Sequence, residues 1–370
     1  MRRAWTDPRI RLGSLLGASI SLLIATTCRI GPERTHGPLL ADCEGALDEI
    51  AIHYTRAAAP IVAPTYRAFL SALPQGVTVH VLVPERDDFD DLRSRLGELR
   101  CRLHAVVAGH PLTPWSRDRY LAFEPLAGGS ALLLSPRAEE GAELWPERAG
   151  DERAGADLAA ALEGVTDRRD HLAFDGGDFA ADAQTAFVTP AVLDRNLGVA
   201  VRSAAQLSTR LETLLGREVV LLADSPEHHA GMFMMPIGER RVVVGDPALA
   251  EKLAGKKALE LVDPDLRPET RRRFDAVARA CERAGYRVLR APVLPDRDGR
   301  SYLSYVNVVL DVRAGARTVY MPVYAGAETL NAAAAFIWRQ AGYRVVPVDC
   351  TRTYRHAGSL RCLVNVLRRS

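Results

Sequence analysis

Two kinds of apolar spacing alternate along this chain. In some stretches apolar residues return every three or four positions, as on one face of a helix. Between them lie short β-branched runs of the kind that form buried strands. Five times a helix-like stretch is followed, after a short break, by such a run: residues 66–73 then 77–83, 89–99 then 101–107, 204–215 then 218–222, 274–284 then 286–289, and 330–341 then 343–346. The last two junctions are near copies, Ala284-Gly285-Tyr286-Arg287-Val288 and Ala341-Gly342-Tyr343-Arg344-Val345, each with glycine where a helix stops. Residues 47–56 also carry helical spacing. The acidic, alanine-rich stretch 138–164 reads as a loop plus an exposed helix.

Hairpin-like pairs are interleaved with these units: 120–123 with 131–134, 233–236 with 241–244, and 306–312 with 318–323. Gly128-Gly129, Gly238-Glu239-Arg240 and Ala314-Gly315 supply the turns. Strict helix–strand alternation would suggest a doubly wound sheet. The interleaved hairpins and the self-similar period argue instead for an α/β fold of repeated ββαβ units arranged radially. No Gly-x-Gly-x-x-Gly and no Gly-x-x-x-x-Gly-Lys-Ser/Thr occurs, so a nucleotide site has no support. A single domain is expected over 46–370, with 29–45 as a Pro/Gly-containing linker.

The 370 residues are 48% hydrophobic and 25% charged, an ordinary globular composition. A formal charge of +2 gives no electrostatic case for nucleic-acid binding. The six cysteines, at 28, 43, 101, 281, 350 and 362, show no Cys-x-x-Cys and no dense spacing. Neither a zinc site nor a disulfide scaffold is indicated, and no metal or cofactor is expected. Arg2, Arg3, Arg9 and Arg11 precede the apolar run 12–25, which ends at Thr26-Thr27-Cys28. Such a basic start, short apolar core and small-residue end read as an export signal over 1–28. The expected location is therefore periplasmic or in the cell envelope. Cys28 sits where a bacterial lipoprotein would be lipidated, which would add membrane attachment, although Ala25-Thr26-Thr27 is an imperfect lipobox.

Four polar clusters fall at strand ends or loops. Trp115-Ser116-Arg117-Asp118-Arg119 places a carboxylate near an indole, a pairing suited to a cation. Asp175-Gly176-Gly177-Asp178 lets the backbone turn sharply between two carboxylates. His229, just before an apolar run, is a natural acid/base near neutral pH. Cys362 follows the small-residue bend Gly358-Ser359 and opens the apolar run Leu363-Val364. Each has a bland alternative: a surface ion pair, an Asx turn, a solvated histidine, a buried thiol. Together a cysteine, a histidine and several carboxylates make a nucleophilic site with a pocket for a cation.

The order Trp-x-x-Asp, Asp-Gly-Gly-Asp, His and Gly-Ser-x-x-Cys resembles the agmatine deiminases and Porphyromonas-type peptidylarginine deiminases, of the guanidino-group-modifying superfamily. The resemblance runs from about residue 62 to 367 and takes in Tyr305-Val306-Asn307 and Met321-Pro322-Val323-Tyr324. It implies a five-bladed pseudo-symmetric α/β propeller and a hydrolase that converts a guanidino group to a ureido group through a covalent amidino-thioester. Mapped onto this chain, it implies Cys362 as nucleophile, His229 as acid/base and Asp175 as a partner of His229 or the substrate. Asp118, Trp115 and Asn307 would line the substrate. The implied partner is a small guanidino compound or an arginine-containing peptide. The chain departs from the pattern at Gly231, where His-x-Asp would place a second carboxylate, and at Arg361, a cation beside the nucleophile. A guanidino-binding envelope protein without turnover, or an amidinotransferase, are the alternatives.

Overall fold

A computed structural model describes residues 35–126, 128–139 and 145–370. The export signal read at 1–28, and Cys28 with it, lies outside the described residues. The chain is α/β, and its described strands form five separate small sheets.

The first sheet begins with β1 (Leu47–His53), crosses through α1 (Ala59–Ala72) to β2 (Thr78–Val83), and through α2 (Arg86–Arg95) to β3 (Arg102–Val107). The second has β4 (Leu121–Phe123), β5 (Ala131–Ser135), helices α3 (Pro146–Asp151) and α4 (Ala154–Ala161), and β6 (Val165–Arg169). The third has β7 (Phe179–Ala181), β8 (Thr185–Val188), α5 (Pro190–Asn196), α6 (Ala204–Leu215) and β9 (Glu218–Leu221). The fourth has β10 (Met234–Pro236), β11 (Arg241–Asp246), α7 (Pro247–Leu253), α8 (Lys256–Leu261), α9 (Pro268–Arg283), β12 (Arg287–Pro295) and β13 (Tyr302–Ser304). The fifth has β14 (Val309–Arg313), β15 (Ala316–Val323), α10 (Glu328–Gln340) and β16 (Arg344–Asp349). The final strand, β17 (Asn365–Arg369), returns to pair antiparallel with β1.

Every sheet thus contains the same unit, an antiparallel pair followed by a helical crossover to a parallel strand. In the first sheet the pair is β17 with β1; in the others it is β4–β5, β7–β8, β10–β11 and β14–β15. The duplicated junctions found in the sequence are structural copies. Gly285 and Gly342 take φ of +81° and +93°, a region open to glycine at little cost. The tyrosine N–H that follows then bonds back into its helix, Tyr286 to Cys281 O at 3.0 Å and Tyr343 to Trp338 O at 3.1 Å.

Two elements differ from the sequence reading. Residues 47–53 form the strand β1, not a helix. The register of β1 against β17 slips between Leu47 and Ile50. This irregularity converts a period of two into an i, i+3 spacing of buried residues that imitates a helix face. In the stretch 138–164, α4 is not exposed along its length: Ala154 and Leu158 are buried against β4 and β5 residues. The strand β6 that follows it, Val-Thr-Asp-Arg-Arg, lacks apolar alternation because it is an edge strand that is largely solvent-facing. Residues 39–45, within the stretch read as linker, are pinned to the sheets. Leu39 bridges Phe123, its N–H donates to Leu215 O, and Asp42 N–H donates to Ala181 O.

Candidate active site

The unit repeat explains how residues far apart in sequence meet. Each polar cluster lies just ahead of the first strand of one unit: Asp118 before β4, Asp175 before β7, His229 before β10, Asn307 before β14 and Cys362 before β17. Trp115, Asp118, Asp175, His229 and Cys362 line one cleft of about 490 Å³. Asn307 lies behind it, fully buried. Its amide N–H donates to Gly231 O at 3.1 Å and reaches Cys362 Sγ at 3.6 Å, while its Oδ1 accepts the Arg361 N–H at 2.8 Å. It therefore fixes the cysteine turn rather than lining the cleft.

The five described cysteines are all free and buried. Burial pushes the Cys281 and Cys350 thiols up to about 12 and raises those of Cys43 and Cys101, which makes them poor nucleophiles. Among the described cysteines, Cys362 opens on this cleft.

His229 stands between two carboxylates, with Nδ1 3.8 Å from Asp118 and Nε2 3.8 Å from Asp175. Burial opposes its charge, but Asp118, Asp175 and a contact with Cys362 outweigh it and hold the imidazolium well above the ordinary histidine range. Close approach demands glycine at two places. A Cβ on Gly177 would overlap the His229 ring, and one on Gly358 would overlap the Trp115 indole. The glycines of the Asp-Gly-Gly-Asp turn and of the bend before Cys362 are thus where ring and backbone touch. His228 is a structural neighbour. Its Nδ1 accepts the His229 N–H at 2.7 Å and its Nε2–H donates to Arg300 O at 2.8 Å. Burial and the His229 charge push it down to about 3.

The two carboxylates differ. Burial lifts Asp118 to about 6, against the pull of His229 and with the push of Asp175. Its Oδ1 has no hydrogen-bond partner among the described residues. Asp175 is fully engaged, by Arg148 at 2.7 Å, Arg195 at 2.8 Å and Arg119 at 3.2 Å. Burial disfavours its charge, yet His229 and these arginines hold it well below the usual carboxylate range. Arg148 Nη1 is also 3.9 Å from Asp118. At the end of α3, Asp151 accepts the Thr113 N–H at 2.9 Å, and burial lifts its carboxyl to about 8. His53, 3.7 Å away, is pushed down to about 4 by burial. Among the described residues no group of three or more His, Cys, Asp or Glu is placed to hold a metal.

Arg361, read from the sequence as an obstacle to a cationic ligand, does not face the cleft. It is buried, its Nη2 pairs with both Asp42 oxygens at 2.9 and 3.0 Å, and it donates to Phe179 O at 2.8 Å. Gly231 makes room for it: a Cβ there would lie 2.8 Å from Arg361 Nη1. Sequence reasoning missed Asp42, Arg148 and Arg195, which stand in segments without any local motif.

Neither a protein-family model nor a curated protein matches the sequence. Solved structures do resemble the fold. An agmatine deiminase of C. jejuni is 14% identical at a TM-score of 0.65, covering 90% of this chain and 97% of its own. An agmatine deiminase of Enterococcus faecalis is 14% identical at 0.66, covering 90% and 96%. A provisionally named arginine deiminase of Porphyromonas gingivalis is 18% identical at 0.65, covering 88% and 97%. The chain thus shares, at low identity, the fold of the agmatine deiminases and of their Porphyromonas relative.

Proposed function

We propose that this protein is a cysteine-dependent deiminase that converts a guanidino group, of agmatine, peptidylarginine or a similar compound, to a ureido group and ammonia. The observation that carries this reading is the convergence in one cleft of the Cys362 thiol, the His229 imidazolium and the Asp118 carboxylate. In the same reading the five sheets are the blades of a pseudo-symmetric α/β propeller around that cleft, and residues 1–28 act as an export signal that would send the enzyme to the cell envelope.

The chemistry follows from the geometry. The Asp118 carboxylate accepts a guanidinium N–H, and Trp115 offers its ring face. Cys362 gives its thiol proton to solvent as the cation binds, and the thiolate bonds to the guanidinium carbon to give a tetrahedral intermediate. His229 gives its proton to the departing nitrogen, which leaves as ammonia, and an amidino-thioester remains. The now neutral His229 takes a proton from water, whose oxygen attacks the same carbon. The C–S bond breaks, the thiolate re-forms, and the ureido product leaves. One water is consumed and one ammonia released. Asp175, saturated by arginines, steadies the imidazolium and is not free for the substrate.

The test is an assay of ureido product and ammonia with agmatine, free arginine and an arginine-containing peptide, with Cys362→Ala as control. Turnover that disappears in the variant supports the reading; turnover that survives it refutes the nucleophile. A second reading, a guanidino-binding protein without turnover, is favoured by the engagement of Asp175 and the missing carboxylate at Gly231. Calorimetric binding without product across the same panel supports it, and product formation ends it.

A further inference from the structure

We infer that Asp42 is a positioning residue of this site: its carboxylate clamps the two buried arginines that immediately precede Cys362 and Asp118. Asp42 belongs to the segment ahead of the first strand, 319 residues from Arg361. Its two oxygens take the Arg361 guanidinium at 2.9 and 3.0 Å, and Oδ1 lies 3.8 Å from Arg117 Nη2. Its Oδ2 also accepts the Ala181 N–H at 2.9 Å, which ties it to the edge of β7.

Both arginines are built into the backbone of the cleft. Arg361 N–H is held by Asn307, and Arg117 N–H donates to Cys362 O at 3.3 Å. Arg117 Nη1 further donates to Asn365 Oδ1 at 3.0 Å, while its Nε has no partner among the described residues. The two guanidiniums repel each other: burial and then Arg361 depress Arg117 to about 10, and Asp42 works against them. One carboxylate therefore offsets, from outside the cleft, one of the two positive charges that stand next to the nucleophile and to the ligand-binding carboxylate. Gly231 completes the arrangement by leaving space for Arg361. The acidic group that the His-x-Asp pattern would place beside the substrate has no counterpart here, and the acid found nearby serves the wall.

The consequence is electrostatic. Without Asp42 the wall of the cleft gains uncompensated positive charge, which attracts anions to the thiol and repels a guanidinium. The inference rests on Cys362 being the reactive thiol of the proposed reaction, and its test needs no turnover. The full-length protein is alkylated with neutral iodoacetamide and with anionic iodoacetate, and the modification of Cys362 is followed by peptide mass spectrometry. In Asp42→Asn, which keeps the shape and the acceptor for Ala181, the iodoacetate-to-iodoacetamide rate ratio rises roughly fivefold, the effect of one buried charge at partly screened range. Asp42→Glu, which keeps the charge, returns the ratio to about that of the parent. A loss of packing alone would change both rates together.

Arg361→Met provides the opposite arm and decides the matter if Asp42→Asn does not fold: with the cation gone, the ratio falls below the parent value. A folded Asp42→Asn with an unchanged ratio, or an Arg361→Met with an unchanged ratio, overturns the inference. Where a guanidino substrate is turned over, the same Asp42→Asn raises KM and changes kcat less. Absence of turnover in the parent, with the ratio shifted as expected, would refute the deiminase reading and leave the role of Asp42 standing.

Discussion

Asp118→Asn is the sharpest test of how this cleft handles a cation. The substitution keeps the size of the side chain and removes one charge, on a carboxylate whose Oδ1 makes no hydrogen bond to the described residues and faces His229 at 3.8 Å. A charge-assisted hydrogen bond contributes about 1.5–3 kcal/mol, so kcat/KM for a guanidino cation is expected to fall roughly ten- to a hundredfold. The same carboxylate is the largest favourable influence on the His229 charge, so the pH profile moves as well. In the parent, burial leaves Asp118 with a value of about 6, and protonating it below that pH removes the contact; the acid limb lies there. The alkaline limb is the loss of the His229 proton and lies above the ordinary histidine range. In Asp118→Asn the acid limb set by Asp118 disappears and the alkaline limb shifts toward lower pH, because the imidazolium has lost a partner. Because the two groups interact, the limbs belong to the pair, and the profile is compared as a whole. Steady-state kcat/KM from pH 5 to 9.5 measures both effects. Activity within threefold of the parent, with the alkaline limb unmoved, refutes the assignment of Asp118.

Gly231→Asp, which restores the His-x-Asp pattern in sequence, does not gain guanidinium affinity. Its carboxylate meets Arg361 and competes with Asp42, and a tenfold fall in KM would contradict this. Arg148→Met removes a guanidinium of the chain itself from Asp175 and from the neighbourhood of Asp118, and KM for a guanidino cation falls several-fold in steady-state assays. Asp151→Asn changes the response of stability to pH. Burial holds the folded carboxyl at about 8, so the folded state keeps a proton that the unfolded chain releases above about pH 4. The contribution of this group to stability is fully present below pH 4 and is lost as pH rises toward 8, at up to ~1.4 kcal/mol per pH unit, roughly 5 kcal/mol in all. The parent Tm declines between pH 5 and 8, and that of Asp151→Asn declines much less; parallel curves would show that the group titrates normally.

The candidate site was legible in the sequence because the repeat sets its residues at equivalent places, each just ahead of the first strand of a unit, where a polar cluster stands out before an apolar run. Cys362, His229, Asp118, Asp175 and Trp115 all reach one cleft for that reason. What escaped was whatever depends on a distant partner. Asp42 carries no motif and gains its role only against an arginine 319 positions away. Arg361 looked like an obstacle because its neighbour in sequence is Cys362, the proposed nucleophile, whereas its neighbour in space is a carboxylate. The strand β1 was hidden by a slip in its register, and β6 by its place at a sheet edge. Both are properties of pairing rather than of composition.

The antiparallel join between β1 and β17 bears on how the molecule assembles. Ala51 is opposite Asn365, three residues beyond Cys362. Closing that sheet brings together segments separated by more than three hundred residues, a contact whose entropy must be met before it is rewarded. The environment of the thiol is therefore among the last features to form during refolding. Partly folded molecules hold Cys362 apart from His229 and Asp118, and the return of its native ratio of iodoacetate to iodoacetamide labelling in a brief pulse marks arrival at the native state.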